Sequence, residues 1–301
     1  MATLSQWVAG ARPRTLPAAV APVLVGTGAA YALSAGNPSF AFLALLVSLA
    51  LQVGVNYAND YSDGIRGTDQ DRVGPVRLVG QGLARAGDVR LAAMLSFFTA
   101  AVLGLALVAL SNAWIMLVVG AASIAAAWYY TGGKRPYGYS GLGEAFVFVF
   151  FGLVATLGTT YTQALRVSLA SIAGAVGVGS IAAAILVANN LRDIPTDTSS
   201  GKRTLAVRLG DRRTRALYAA LLAVALASVL VAGLIHPGAL IALLSFALAI
   251  PLLRRVLGGA AGRDLVPVLS GTGRFELTYG VLLALGLAVG AHTTWLGSGL
   301  G

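Results

Sequence analysis

The chain has 301 residues, of which 57% are hydrophobic and only 11% are charged, and its mean hydropathy is +0.81. Soluble domains carry about 25% charged residues, so this composition predicts a polytopic membrane protein. The lack of cysteine excludes disulfides, thiolate nucleophiles and iron–sulfur clusters. The net charge of +10 is interpreted as membrane orientation rather than as a nucleic-acid interface.

Nine apolar stretches are long enough to cross a bilayer as helices, and they predict an all-α membrane protein that forms one polytopic domain over residues 1–301. In chain order they are 16–34, 39–57, 91–110, 112–131, 142–163, 168–190, 216–235, 238–254 and 277–297. Short turns without charged residues join some of them. The longer polar connections are 58–90, 132–141, 191–215 and 255–276.

The charge distribution supports this span count. If nine spans alternate, 20 of the 21 lysines and arginines fall on the side of the N-terminus and the long connections, and only Arg166 falls on the other side. We predict a bacterial plasma membrane, and the asymmetry favours a cytoplasmic position for the N-terminus and these connections. All eleven acidic residues lie on or next to the same side. The spans themselves are almost free of ionisable groups, which argues against a transporter.

The first acidic cluster follows the second span and contains Asn56, Asn59, Asp60 and Asp63. If the helix continues, Asn56, Asp60 and Asp63 occupy positions i, i+4 and i+7 and share a face, with Asn59 one position off that face. Asp69 follows after two glycines, where the helix is expected to break. Carboxylates at the edge of the hydrocarbon are costly, and they usually mark a site.

The second acidic cluster follows the sixth span and contains Asn189, Asn190, Asp193 and Asp197. Asn189, Asp193 and Asp197 share a face at i, i+4 and i+8, and Pro195 can kink or end that helix. Carboxylate and amide oxygens suit Mg²⁺, which accepts substrate phosphates as further ligands. The two clusters with nearby cations therefore predict a diphosphate site, the alternative being aspartates that only cap helices or pair with arginines.

Two lysines are candidates for contact with phosphate. Lys134 follows two glycines that let the backbone approach a ligand closely, and this position favours a phosphate role. Lys202 follows the second cluster, where its side chain can fold back onto a diphosphate, although a headgroup contact is equally compatible with its position. The neighbouring Arg135 is interpreted as an anchor at the membrane surface.

Six ordered stretches resemble the UbiA superfamily of intramembrane aromatic prenyltransferases, and within it the menaquinone branch. They are NDYSDGIRGTD (59–69), GPVR (74–77), YTGGKRP (130–136), GLGE (141–144), NLRDIPTD (190–197) and GKRTL (201–205). One departure stands out: Asp69 follows Asp63 by six residues, whereas the third aspartate of the broader family often follows the second by four. This spacing is similar to that of the menaquinone branch.

The resemblance implies nine transmembrane helices around a central cavity, with cytoplasmic loops capping the active site. It implies that a polyprenyl diphosphate and 1,4-dihydroxy-2-naphthoate react with loss of diphosphate and CO₂. It further implies two Mg²⁺ ions, one for each acidic cluster. The residues implied to grip the diphosphate are Lys134, Arg192, Lys202 and Arg77. The tyrosines that would shelter a carbocation are Tyr61, Tyr130 and Tyr137.

Several alternatives stay open at this point. The nearest is a member of the same superfamily with another aromatic acceptor, such as homogentisate or 4-hydroxybenzoate. A CDP-alcohol phosphotransferase is also a metal-dependent membrane enzyme, but its Asp-Gly-x2-Ala-Arg signature is absent from the chain. A transporter is less favoured because it would place ionisable groups near the bilayer midplane. The sequence leaves the prenyl chain length and the oligomeric state undetermined.

Overall fold

A computed structural model describes residues 2–67 and 76–297, with side chains up to residue 289. These ranges contain helices and no strands. The α-helices are α1 (Leu4–Ala11), α2 (Pro17–Ala32), α3 (Pro38–Ile65), α4 (Ala86–Ser111), α5 (Met116–Tyr129), α6 (Gly143–Val147), α7 (Ala155–Ala164), α8 (Leu169–Ser199), α9 (Leu205–Ile235), α10 (Phe246–Leu257) and α11 (Val266–Gly297). The all-α membrane fold is confirmed.

The membrane-spanning segments match the predicted spans in order. Seven helical segments of the described chain are long and apolar enough to cross a membrane, and α1 with α2 form an eighth that is bent by 48°. The span predicted at 112–131 is the exception, because α5 has only 14 residues. At 1.5 Å per residue it extends about 21 Å, less than the roughly 30 Å of the hydrocarbon.

Both acidic clusters lie in the last turns of long helices. The Asn37 side chain accepts hydrogen bonds from the N–H groups of Ser39 and Phe40 and begins α3, which continues past the predicted span to Ile65. The Ser168 side chain caps α8, which continues to Ser199. Pro195 lies inside α8 and does not end it, so Asp197 belongs to the helix and not to a turn. We call the end of the bundle that carries these clusters the site end.

One half of the molecule is densely packed. Helices α2, α8, α9 and α11 share the largest buried apolar cluster, in which most side chains are small. A Cβ atom at Gly28 of α2 would lie 2.5 Å from the Cα of Ala284 in α11. Only a residue without a side chain allows these two backbones to approach so closely, as is typical of membrane helices.

The other half is looser and is built from α3, α4, α5 and the segment Gly143–Ala164. In that segment a π-helix, Phe148–Val154, joins α6 to α7. Its Gly152 contacts Gly179 of α8, where a Cβ atom at position 152 would lie 2.4 Å from the Cα of Gly179. The π-helix is thereby anchored to the dense half, while none of the residues of α5 is buried.

We expect the same substitution to have opposite effects at two glycines. Gly152→Ala forces two backbones apart and should lower the free energy of unfolding by about 1–3 kcal/mol. Gly120→Ala on α5 has no atom within 4 Å of the new Cβ. It should be neutral or stabilising by about 0.5–1 kcal/mol, because alanine loses less backbone entropy in a helix. Thermal unfolding in detergent measures both, and equal shifts would contradict the packing described here.

Candidate active site at the site end

Asp63 at the end of α3 is the centre of the site. Its side chain is 5% exposed and has cationic partners from two loops. The Nζ atom of Lys202 lies 3.7 Å from Oδ1, and the Nη2 atom of Arg77 lies 3.8 Å from Oδ2. The hydroxyl of Tyr139 donates a hydrogen bond to the same carboxylate. The structure therefore brings together Asp63, Arg77 and Lys202, three residues that the sequence singled out.

Tyr139 is the member of this cluster that the sequence analysis missed. The Nζ atom of Lys202 lies 4.6 Å from the centroid of its ring, and the Arg66 guanidinium lies 5.5 Å from it. The Tyr139 carbonyl oxygen accepts a hydrogen bond of 3.0 Å from the N–H of Arg203. Tyr139 therefore ties the loop before α6 to the first acidic cluster and to the segment after α8. Its only signal in the sequence is a glycine- and tyrosine-rich segment, where nothing separates it from its neighbouring tyrosines.

The second cluster contains an ion pair within α8. The guanidinium of Arg192 binds Asp193 through two contacts, 2.6 Å from Nε to Oδ1 and 2.8 Å from Nη2 to Oδ2. It also donates to the Asn189 side-chain oxygen at 2.9 Å. Asp197 is buried one turn further along, and its carbonyl oxygen accepts from the N–H of Lys202. Lys202 therefore connects the second cluster to Asp63.

Asp60 lies in the same continuous helix as Asp63, at the predicted spacing, because α3 extends to Ile65. Its side chain is fully buried and accepts hydrogen bonds from the backbone N–H groups of Leu78 (2.7 Å) and Val79 (3.1 Å). Both carboxylate oxygens therefore hold the loop before α4, and the role of Asp60 as a metal ligand stays a prediction. Asn59 is predicted to lie one position off the face that Asp60 and Asp63 share. It lines the cavity described below, and its side-chain oxygen accepts a hydrogen bond of 2.8 Å from Thr131 Oγ1.

The other asparagines form side-chain contacts that connect the site to its surroundings. Asn56 donates to the Ala11 carbonyl oxygen at 2.8 Å and to Thr15 Oγ1 at 3.0 Å, which fixes the junction of α1 and α2. Asn190 donates to Glu144 Oε1 at 2.9 Å, which links α8 to α6. These contacts use the side-chain amide nitrogens as donors, and Asn56 also lines the cavity.

Lys134 lies on the exposed surface of its loop, and no contact with Asp63 or Asp193 is found in the described ranges. The two glycines before it serve another purpose. Arg66 donates to the carbonyl oxygen of Gly133 at 2.5 Å and also to that of Thr131, so the turn is bound to the end of α3. Asp69 lies outside the described residues.

An apolar cavity of about 480 Å³ opens beneath the acidic clusters. Its walls are α3, α4, α5 and the segment from Phe146 to Thr162, and most of its lining is aliphatic or aromatic. Tyr130 and Tyr137 line it, as the carbocation hypothesis requires. Tyr61 does not belong to that lining, and its ring stacks on Trp128 at a centroid distance of 6.2 Å.

A strip of aromatic rings follows one wall of the cavity from the site end inward. The centroid distances are 5.5 Å from Tyr130 to Tyr137, 4.0 Å from Tyr137 to Phe146 and 6.0 Å from Phe146 to Phe150. The Tyr137 hydroxyl donates to the Ala126 carbonyl oxygen at 2.7 Å. Burial raises the pKa of this hydroxyl, so it stays protonated and the ring stays neutral. Neutral aromatic faces next to a cavity attract cations.

The donor set fits Mg²⁺ held partly by substrate. No three carboxylate or histidine side chains of the described chain lie close enough to hold a metal ion by themselves. The available oxygens belong to Asp63, Asp193, Asp197 and neighbouring asparagines. Mg²⁺ commonly takes one or two carboxylates and completes its shell with water and phosphate oxygens. Lys202, Arg77 and Arg192 lie beside these carboxylates and match the remaining charge of a diphosphate.

Comparison with known proteins agrees with this arrangement. Residues 19–265 match the model of the UbiA prenyltransferase family. The chain is 56% identical over 290 residues to the 1,4-dihydroxy-2-naphthoate octaprenyltransferase of Mycobacterium tuberculosis, covering 96% of this chain and 99% of that one. It is 41% identical over 222 residues to the Escherichia coli protein of the same name, covering 72% of each.

The fold is also similar to that of a solved structure. A UbiA homologue from Archaeoglobus fulgidus, bound to DMAPP and Mg²⁺, superimposes with a TM-score of 0.62. The superposition covers 94% of this chain and 99% of that chain at 14% sequence identity. This identity is low enough that the likeness concerns the fold alone.

The position of Asp60 leads to a prediction about the loop before α4. Asp60→Ala removes the acceptor for two buried N–H groups, so hydrogen exchange at the amides of Leu78 and Val79 should accelerate by roughly 10-fold. The matched variant Asp63→Ala should leave these two amides protected, since Asp63 does not bind them. Exchange measured by mass spectrometry in detergent distinguishes the variants. If the amides of Leu78 and Val79 exchange as slowly in Asp60→Ala as in Asp63→Ala, the anchoring role of Asp60 is refuted.

Proposed function

The chain belongs to the UbiA prenyltransferase family, and we propose that it transfers a polyprenyl group to 1,4-dihydroxy-2-naphthoate in menaquinone biosynthesis. The reaction releases diphosphate and CO₂ and gives demethylmenaquinone. The observation that carries this function is the 56% identity, over nearly the whole of both chains, to a 1,4-dihydroxy-2-naphthoate octaprenyltransferase. The geometry supports it, because acidic and basic side chains meet at the mouth of an apolar cavity.

The diphosphate site is proposed to lie between the two acidic clusters. Lys202 and Arg77 approach from separate loops, and Arg192 comes from α8. In the structure these cations bind the carboxylates of Asp63 and Asp193. A diphosphate placed between them takes over part of this pairing, so the cations are already in position when negative charge develops on the leaving group.

The metal ions are proposed to bind the same oxygens. Asp63 with Asn59, and Asp193 with Asp197 and Asn189, form the two ligand sets, while Asp60 keeps its place as a loop anchor. When bound, Mg²⁺ acts as a Lewis acid that neutralises the diphosphate oxygens. Two ions, one for each cluster, are part of the proposal. Bound Mg²⁺ in the A. fulgidus homologue shows that a protein of this fold can hold the metal.

The chemical step is a substitution on an aromatic ring. The C–O bond of the allylic diphosphate breaks, and its electron pair leaves with the diphosphate, which Lys202, Arg77 and Arg192 stabilise. The allylic cation lies against the faces of Tyr130 and Tyr137, in a cavity whose apolar lining excludes water. The ring carbon that carries the carboxylate forms the new C–C bond. The bond to the carboxylate then breaks, CO₂ leaves, and its electron pair restores the aromatic ring.

The chain is a multi-pass protein of a bacterial membrane, and its orientation is part of the proposal. The excess of lysine and arginine in the long connections supports a cytoplasmic N-terminus and a cytoplasmic site end. Both water-soluble groups, the diphosphate and the naphthoate carboxylate, then reach the site from the cytoplasm. The prenyl tail enters the cavity among the apolar helices. The whole chain from 1 to 301 serves as one membrane domain in this arrangement.

The acceptor distinguishes this function from its nearest alternative. A family member that uses homogentisate or 4-hydroxybenzoate would share the diphosphate site but would accept a smaller ring. The names of the relatives favour naphthoate. A transporter is disfavoured because the ionisable side chains of the site are gathered at one end of the bundle.

The function is tested with purified protein in nanodiscs, supplied with 1,4-dihydroxy-2-naphthoate, a polyprenyl diphosphate and Mg²⁺. We expect prenylated product and CO₂ in equal amounts, and loss of both when EDTA removes the metal. Asp193→Ala should lower kcat by about 100-fold, since it removes a group that acts on the leaving charge. Prenylation of 4-hydroxybenzoate or homogentisate without turnover of naphthoate would move the chain to another branch. Full Mg²⁺-dependent turnover in Asp193→Ala would refute the site.

Two lysines provide a sharper test of the diphosphate contacts. Lys202→Ala should raise KM for the polyprenyl diphosphate and lower kcat/KM by about 10- to 100-fold, because it removes a charge-assisted contact in a buried site. Lys134→Ala, an exposed lysine in the neighbouring loop, is the matched control and should change kcat/KM by less than about threefold. The reverse ranking in steady-state kinetics would return the phosphate role to Lys134.

A further inference from the structure

The cavity is a channel whose depth can be read from its walls. Along α3 the lining extends from Asn59 at the site end to Ala44. These residues are 15 positions apart, so the channel is about 22 Å deep at 1.5 Å per residue. On the opposite wall the lining begins at Phe146 in α6, passes Gly158 in α7 and ends at Thr162.

The deep end of the channel is narrowed by one contact between α5 and α7. Helix α4 begins at the site end and extends away from it. Met116 follows the turn after α4 and is the first residue of α5, so it lies far from the site end. Both Met116 and Gly158 line the cavity. A Cβ atom at Gly158 would lie 2.8 Å from the terminal methyl carbon of Met116. The Met116 side chain therefore extends into the notch that the glycine leaves open.

The depth of the channel corresponds to a definite number of isoprene units. A fully extended peptide advances about 3.3–3.6 Å for three backbone bonds, or about 1.2 Å per bond. An isoprene unit contributes four main-chain bonds, so it advances about 4.8 Å at the same rate. A channel of about 22 Å then holds between four and five units. Longer tails extend past the level of Met116.

We propose that the contact between Met116 and Gly158 is a gate that sets the preference of the enzyme for prenyl chain length. The proposal rests on the proposed function, because it assigns this channel to the prenyl tail. Tails of up to four units end before the gate and do not meet it. Tails of six units or more pass between the two residues, which requires the Met116 side chain to move aside.

The physical properties of both residues suit such a gate. Methionine is unbranched and has three rotatable side-chain bonds, so it changes shape at little cost. Helix α5, which carries it, has no buried residue and packs mainly against α3 and α4. Glycine at position 158 provides the space into which a tail or the methionine fits. A larger residue there fills the passage from the α7 side.

Competing prenyl diphosphates of three and eight isoprene units test the gate in nanodiscs with 1,4-dihydroxy-2-naphthoate. Gly158→Leu should lower kcat/KM for the eight-unit substrate by about 10-fold or more and change that for the three-unit substrate by less than about twofold. Met116→Ala should raise the preference for eight units over three by about threefold or more. Ala122→Leu is the matched control, since it introduces the same side chain on an exposed face of α5 outside the cavity lining and should leave the preference unchanged.

The outcomes separate the gate from the function itself. Wild-type turnover of the three-unit substrate establishes the function independently of chain length. If Gly158→Leu and Met116→Ala both leave the length preference unchanged, the tail leaves the channel before the gate and the proposal is wrong. If Gly158→Leu fails to fold, Met116→Ala and the smaller Gly158→Ala still decide, because they must shift the preference in opposite directions. If every variant loses turnover of both the three-unit and the eight-unit substrate, the two residues do not select for chain length and the proposal is wrong.

Discussion

The arrangement of the site depends on the pairing of buried carboxylates at the edge of a membrane domain. An unpaired charge in such a place costs several kcal/mol, so each carboxylate needs donors that come from elsewhere in the chain. Asp63 obtains them from the loop before α4, from the loop before α6 and from the segment after α8. The same contacts bring both acidic clusters together, so the requirement that stabilises the fold also assembles a site for diphosphate.

The spans and the acidic clusters could be predicted because they follow from local properties of the sequence. A helix in hydrocarbon has to satisfy its own backbone hydrogen bonds, so long apolar stretches predict helices with little ambiguity. The asymmetry of lysine and arginine orders these helices and places both clusters at one end. Asn59, Asp63, Asp193 and Lys202 all lie at that end in the structure. The span predicted at 112–131 is the exception, since α5 has only 14 residues.

The roles of single side chains could not be predicted, because they depend on what each helix face meets. Helical spacing groups Asp60 with Asp63, but it does not show that the N–H groups of Leu78 and Val79 donate to the Asp60 carboxylate. The glycines before Lys134 suggest a phosphate loop, and the sequence gives no sign that Arg66 donates to the carbonyl oxygens of Thr131 and Gly133 in that turn. Tyr139 belongs to the site because it contacts Asp63 and Lys202, which are both more than sixty positions away in the chain. None of these partners is encoded in the local pattern.

The two halves of the chain carry similar motifs but have different packing, and this difference creates the cavity. In the apolar window of α8, 78% of the residues are buried, compared with 28% for α4. Glycine and alanine let α8 and its neighbours pack closely, and α8 does not line the cavity. The cavity lies among α3, α4, the short α5 and the segment that contains the π-helix, where the helices leave space between them. The dense packing of α8 fixes its carboxylates, which the proposal assigns to the diphosphate. The looser helices surround the space that the proposal assigns to the apolar tail.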